Sequence, residues 1–252
     1  MSLRKISILT LVLLPLVLPL SLLAADSTGS VLITGANRGI GLALAEKFKA
    51  AGFDVIGTAR SPQKADDLKA LDVRVEQLDV TDPASVSALA QRLDGLPLDY
   101  VINNAGIKGH DSGDLAELDI EKLDMTLDVN TLGPLRVIQA LVPNVRASKH
   151  KVFANISSMM GSMEMNTWGC CLGYRASKSA LNSFTKTLAV DYADTGLVFV
   201  TMHPGYVQTD MNDGQGNITT AQSAEGLFNV ISELTVDDNG KYYDWKGKEL
   251  PW

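Results

Sequence analysis

Cysteine is nearly absent. The two that occur, Cys170 and Cys171, are adjacent, so no disulfide scaffold can hold this chain of 252 residues. Glycine follows no three-residue period and no heptad is sustained, which excludes collagen-like and coiled-coil architectures. Charged residues are 20% against 46% hydrophobic, too apolar a balance for a disordered chain. Basic residues are the minority: 22 Lys+Arg against 29 Asp+Glu give a formal charge of −7. With a pI near 5.0, no nucleic-acid partner is expected. The three histidines, His110, His150 and His203, show no ligand spacing with cysteine or acid. They read as structural or exposed, and no metal site is expected. What remains is a chain long enough for one α/β domain with a full core.

One long uncharged apolar run is present, ISILTLVLLPLVLPLSLLAA at 6–25. Arg4 and Lys5 precede it and Ala24-Ala25 close it. A basic start, an apolar stretch and small terminal residues read as a signal peptide, and the length also suits a membrane anchor. Pro15 and Pro19 weaken a helix there. Residues 1–25 are therefore expected to be a leader or anchor and 26–252 the folded domain. Membrane association is expected only through 6–25, if uncleaved. Positive charge before the run predicts that the body faces outward.

From Ser30 onward strand and helix patterns alternate. VLITG (31–35), FDVIGTAR (53–60), VRVEQLDV (73–80), LDYVINNAG (98–106), KVFANISS (151–158) and LVFVTMHPG (197–205) read as strands, with a seventh in 240–250. Helical spacing covers 40–52, 119–145 and 174–193. Thr81 or Asp82 with Pro83 predicts another helix to about Leu93, an N-cap followed by proline in the first turn. Strands that are continuous apolar runs between helices predict a doubly wound parallel sheet covered on both faces. Residues 208–222 read as a loop, a candidate flap over a site.

The first strand runs into TGANRGIG (34–41). The logic is that of a phosphate-binding turn. Glycines let a pyrophosphate approach the backbone, and a helix N-terminus faces the anion. Gly35, Asn37, Arg38, Gly39, Ile40 and Gly41 are thus candidate dinucleotide contacts. A site for the unphosphorylated ribose usually carries an acid at the end of the second strand. Here that strand ends in Gly57-Thr58-Ala59-Arg60, and Arg38 sits in the turn. Two guanidinium groups suit a 2′-phosphate, which predicts NADP(H) over NAD(H).

Tyr174 and Lys178 are four residues apart in a helical pattern, so they share one face. A nearby ammonium is expected to lower the tyrosine toward neutral acid–base work. In a parallel sheet the ligand crevice lies at the carboxyl ends of the strands. There the chain places the glycine turn, Asn103-Asn104-Ala105-Gly106, Ser157-Ser158 and Pro204-Gly205. Small residues at that edge let a cofactor lie across it.

Together TGANRGIG, NNAG (103–106), Asn130, SSxxG (157–161), YRASK (174–178) and PGYVQTD (204–210), in this order, resemble the classical short-chain dehydrogenase/reductase family. YRASKSALN (174–182) and the short C-terminus are similar to its C-factor-like carbonyl reductase branch. The resemblance implies a single Rossmann-fold domain with strand order 3-2-1-4-5-6-7, and oxidoreductase activity on a small-molecule carbonyl or alcohol. It implies a catalytic set of Asn130, Ser158, Tyr174 and Lys178. Tyr174 would be the acid/base and Ser158 would hydrogen-bond the substrate oxygen. Lys178 would hold the nicotinamide ribose, and Asn130 would anchor a relay water. Ser158 is preferred to Ser157 because Gly161 completes S-x-x-G only from Ser158. The resemblance also puts Asp79 and Val80 near the adenine, Asn104 by its ribose, and Val207 and Thr209 by the nicotinamide amide. A homodimer or homotetramer is implied, with the helices around 119–145 and 174–193 at its interface.

Cys170, Cys171 and Trp168 depart from the family pattern just before Tyr174, where they are expected to border the substrate. The cysteines read as small apolar packing, with a reactive-thiol role as the alternative. Asn155 and Asn217 head glycosylation sequons, the first on a strand that should bury it. The alternatives to a carbonyl reductase are an NAD(H)-dependent alcohol dehydrogenase and a signalling protein that binds NADP(H) without turnover. The leader suggests export or membrane association, while the cofactor suggests cytosol or a lumen containing NADP(H).

Overall fold

The computed structural model describes residues 27–109 and 114–252. The apolar leader and His110 lie outside the described residues. Seven strands form one sheet: β1 (Ser30–Ile33), β2 (Asp54–Ala59), β3 (Arg74–Gln77), β4 (Tyr100–Asn103), β5 (Val152–Ile156), β6 (Val198–His203) and β7 (Tyr242–Asp244). Their order is 3-2-1-4-5-6-7, and every pairing is parallel. This is the expected doubly wound architecture.

Register explains the two cores. Ile56, Leu32, Val101, Phe153 and Phe199 lie in one row across five strands. Side chains alternate along a strand, so this whole row faces one side. There it packs on helices α3 (Pro83–Arg92) and α5 (Gly133–Arg146) through Val86, Leu89, Val137, Leu141 and Val145. The adjacent row, Val55, Val31, Tyr100, Val152 and Val198, faces the other side. It meets α1 (Gly39–Ala50) through Leu44 and Phe48 and α7 (Thr220–Ser232) through Leu227 and Ile231. Two-sided burial is why these strands read as unbroken apolar runs.

The structure corrects three expectations about the elements. The helix expected over 119–145 is two helices, α4 (Ile120–Leu127) and α5, joined by a π-turn at Asp128–Leu132. Pro134 has no N–H to give the Asn130 carbonyl in α-helical register, so the ladder must widen there. Gly133 N–H accordingly bonds Asp128, five residues back. The stretch 208–222 is not an open loop. Gln208 N–H bonds Ile218 at 2.9 Å and Asn217 N–H bonds Tyr206 at 2.8 Å. Its last residues begin α7, capped by Thr219 and Gln222. The seventh strand covers only Tyr242–Asp244, after which the chain turns and Leu250 N–H bonds back to Tyr242 at 2.7 Å. A short helix, α2 (Asp66–Ala70), was also not expected and seats Leu68 in the core.

Candidate active site

A cleft of about 1340 Å³ runs along the carboxyl ends of the strands. At one end lies the glycine turn. Gly35 and Gly39 have φ of 64° and 59°, a backbone region costly to residues with a Cβ. A Cβ on Gly35 would come within 3.0 Å of the Ala105 backbone, so this glycine lets two turns touch. Gly39 opens α1, and Arg38 before it places no side-chain cap on the first amides. Gly39 and Ile40 line the cleft, so this uncapped helix N-terminus borders it, as an anion site requires. Gly41 does not line the cleft. A Cβ there would strike the Gly35 carbonyl and come within 2.5 Å of Asn104 Nδ2. Its place is to let Asn104 in, whose Nδ2 donates to the carbonyls of Thr34 and Gly35 at 3.0 and 3.1 Å. Asn104 thus braces the turn.

Arg38 and Arg60 both line this end, with no acid between Gly57 and Arg60. Asp79 is held low chiefly by the Thr81 hydroxyl, with Arg60 adding a smaller Coulomb pull. Arg38 pairs with Asp210, a contact across 172 positions that no local pattern announces. Their side chains are 3.2 Å apart and largely exposed, linking the glycine turn to the 208–222 stretch.

The other end holds the titratable groups. Tyr174 and Lys178 sit on α6 (Leu172–Asp191), one turn apart, facing the cleft. Lys178 is 4% exposed; its Nζ donates to the Ile156 carbonyl at 2.9 Å and lies 5.8 Å from the Tyr174 ring centre. Burial pulls Lys178 down to about 8. Burial pushes Tyr174 up to about 12, with the Ser158 hydroxyl acting against it and Cys171 with it. The expected lowering of Tyr174 by Lys178 is therefore not seen. Desolvation outweighs it, and the lysine is turned to a carbonyl.

Both serines line the cleft, with different partners. Ser157 Oγ donates to Asn182 Oδ1 at 2.6 Å, inside the fold. Ser158 Oγ bonds Tyr174 and caps the short turn after β5 through Met160 N–H. That turn is held from behind. His203 Nδ1 accepts from Met159 N–H at 3.2 Å, and the buried Tyr242 hydroxyl donates to the Ser158 carbonyl at 2.6 Å. Burial pushes His203 down to about 4, which keeps the ring neutral and able to accept. Asn130 is fully buried and does not line the cleft. Its amide clamps the Ile107 backbone, accepting from N–H and donating to C=O at 2.8 Å each, and donates to Ser177 Oγ at 3.0 Å. Gly106 keeps this region open, since a Cβ there would stand 3.2 Å from Asn130 Oδ1 and 3.7 Å from Lys178 Nζ.

A family model described as short chain dehydrogenase matches residues 29–218. The chain is a short-chain dehydrogenase. It is 38% identical over 156 residues to C-signal of Myxococcus xanthus, covering 62% of this chain and 93% of that one. It is 35% identical over 230 residues to 1-hydroxy-2-glutathionyl-2-methyl-3-butene dehydrogenase of Rhodococcus sp. (strain AD45), covering 88% and 99%. Among solved structures, the NADPH-bound carbonyl reductase from chicken fatty liver superposes with a TM-score of 0.82 at 33% identity, covering 90% of this chain and 100% of that one.

This short-chain dehydrogenase brings most of its candidate residues to one cleft. Gly35, Asn37, Arg38, Gly39, Ile40, Arg60, Asp79, Val80, Asn104, Ala105, Gly106, Ser158, Tyr174, Lys178, Pro204, Gly205, Val207 and Thr209 all line it, while Gly41 and Asn130 stand behind its wall. Tyr206 and Asp210, inside the PGYVQTD motif, line it too, as does Lys108, which carries no motif; none of the three was singled out from the sequence. Cys170 and Cys171 line the cleft with Trp168, in the place expected of them, Cys170 exposed and Cys171 half-buried. Asn155 is fully buried and bonded to Thr185, so its sequon is closed as expected.

Proposed function

We propose that this chain is an NADP(H)-dependent carbonyl reductase, acting on a small-molecule carbonyl or the corresponding alcohol. One observation carries the reading. Tyr174, Ser158 and Lys178 converge at one end of a cleft whose other end holds Arg38 and Arg60 beside an anion-ready helix N-terminus. The residues present fit the dinucleotide: glycines where the backbone must be approached, a basic pair for a 2′-phosphate, and a buried lysine for a ribose. The NADPH-bound carbonyl reductase that superposes on the chain supports the same choice.

When bound, the nicotinamide supplies or takes the hydride. The chain supplies position and the proton. Tyr174, raised to about 12, is protonated at neutral pH, the form that donates to a carbonyl oxygen as it becomes an alkoxide. Ser158 Oγ hydrogen-bonds the same oxygen and orients it toward Tyr174. Lys178, its Nζ now on the Ile156 carbonyl, would hold the ribose hydroxyls and carry its positive charge beside the phenol. Asn130, bonded to the Ile107 backbone, fixes the wall behind the cleft and would anchor a relay water there.

The test is titration of the purified full chain with NADPH and NADH by nicotinamide fluorescence, followed by a panel of carbonyls. NADPH is expected to bind tighter than NADH, and turnover to vanish in Tyr174→Phe with NADPH binding retained. Tyr174→Phe with unchanged turnover would refute the catalytic assignment, and absence of binding of either nucleotide would refute the cofactor site.

A further inference from the structure

Cys170 and Cys171 are on the segment that leads into α6, at the mouth of the cleft. Both have left-handed backbones, with φ of 63° and 56°, directly after Gly169 at 68°. Few residues with a Cβ adopt this region, and two in succession are rarer. In this form the two side chains lie on the same side, with Sγ atoms 2.7 Å apart. That is only about 0.7 Å longer than an S–S bond. Cys170 is exposed and Cys171 half-buried, so a small reagent can reach the pair.

The surroundings hold the pair in place. Arg175, 6% exposed, donates its Nε–H to the carbonyls of Gly169 and Cys170 at 2.9 and 3.0 Å. Its guanidinium lies 4.6 Å from the Trp168 ring centre. Cys171 also precedes the first residue of a helix of 20 residues, where the helix dipole favours a thiolate.

We propose that Cys170 and Cys171 form a reversible dithiol–disulfide couple at the mouth of the carbonyl site, closed by exchange with a small disulfide. The Cys170 thiolate attacks one sulfur of the small disulfide, and one thiolate leaves. The Cys171 thiolate then attacks the Cys170 sulfur of that mixed disulfide, and the second thiolate leaves. The protein loses two electrons and two protons, and one small disulfide becomes two thiols. Adjacent Cα atoms are about 3.8 Å apart, below the usual range of about 4.4–6.8 Å for bridged cysteines. Small thiols therefore reopen the ring readily, as a regulatory disulfide requires. The closed ring stiffens the segment three residues before Tyr174 and beside Trp168, on the carbonyl side of the cleft. Only this effect on turnover rests on the carbonyl reductase reading; the exchange itself does not.

The test uses the full chain, whose only cysteines are these two. It is treated with bis(2-hydroxyethyl) disulfide, quenched with iodoacetamide and weighed intact. The native chain is expected to lose two hydrogens and take up no alkyl group, while Cys171→Ser stops with a hydroxyethylthio adduct on Cys170. A native chain that keeps the adduct, or remains fully alkylated, overturns the couple. In the closed form kcat/KM for a carbonyl is expected to fall about threefold with NADPH affinity unchanged, and dithiothreitol to restore it. Closure with unchanged kcat/KM overturns the effect on turnover. Closure in a chain that binds no nucleotide leaves the couple standing and refutes the carbonyl reductase reading instead.

Discussion

Tyr242→Phe isolates the contact between the last strand and the turn that carries Ser158. The Tyr242 side chain is fully buried, and its hydroxyl donates to the Ser158 carbonyl at 2.6 Å. Phenylalanine keeps the ring and its contact with Trp252, 5.4 Å between centres. Ser158 C=O is not orphaned, because Gly161 N–H still donates to it at 2.7 Å. The stability cost is therefore that of one neutral hydrogen bond, about 1 kcal/mol, and a Tm fall of about 2–4 °C. The effect on chemistry should be larger than this. Ser158 Oγ takes its position from the turn that Tyr242 holds, and a displacement of about 1 Å at a reacting group can cost about 100-fold. His203 still holds Met159, so a partial shift is expected, with kcat down about tenfold. NADPH affinity should be unchanged, since Arg38, Arg60 and the glycine turn are untouched. The assay is steady-state carbonyl reduction alongside NADPH titration and a melting curve. A Tm fall with kcat within about twofold would refute the positioning argument and leave the bond a purely structural one.

Other predictions test separate parts of the molecule. Asp210→Asn releases Arg38 from an exposed pair, so NADPH should bind about threefold tighter by fluorescence titration; weaker binding would refute the competition. His203 lies at about 4 against an ordinary value near 6.5, so the fold favours the neutral ring. Stability is then full above pH of about 6.5 and falls as pH drops through about 4, by at most about 3 kcal/mol. Urea midpoints should show this slope, and His203→Gln, which can still accept from Met159, should flatten it. Gly226→Ala would drive a Cβ into the Trp245 carbonyl and against its ring, so α7 must shift. A loss of about 1–3 kcal/mol is expected by thermal melting, and an unchanged Tm would show that the C-terminal turn yields freely.

The sequence by itself determined the sheet. Apolar runs ending in glycine or small residues, alternating with amphipathic helices, leave the chain little choice but parallel strands buried on both faces. It also determined the candidate residues of the cleft, because each sits in a short motif at the end of a strand or one turn apart on a helix. Two kinds of feature were not legible there. The break at Asp128–Leu132 was written in Pro134, yet helical periodicity runs through it and hides the missing N–H. The cap of α7 was written in Thr219 and Gln222, yet polar composition around it suggested a loop.

The rest depended on long-range contacts. That Asn130 is a clamp on Ile107, that Gly41 makes room for Asn104, and that Tyr242 holds Ser158 are facts about groups 23, 63 and 84 positions apart, which no local pattern encodes. The protonation of Tyr174 belongs to the same class. Spacing placed Lys178 one turn away, but only the packed structure sets desolvation, and desolvation decides which way the phenol moves. Local chemistry chose the parts and the order of the elements; the tertiary fold decided which of those parts touch, and so which ones can react.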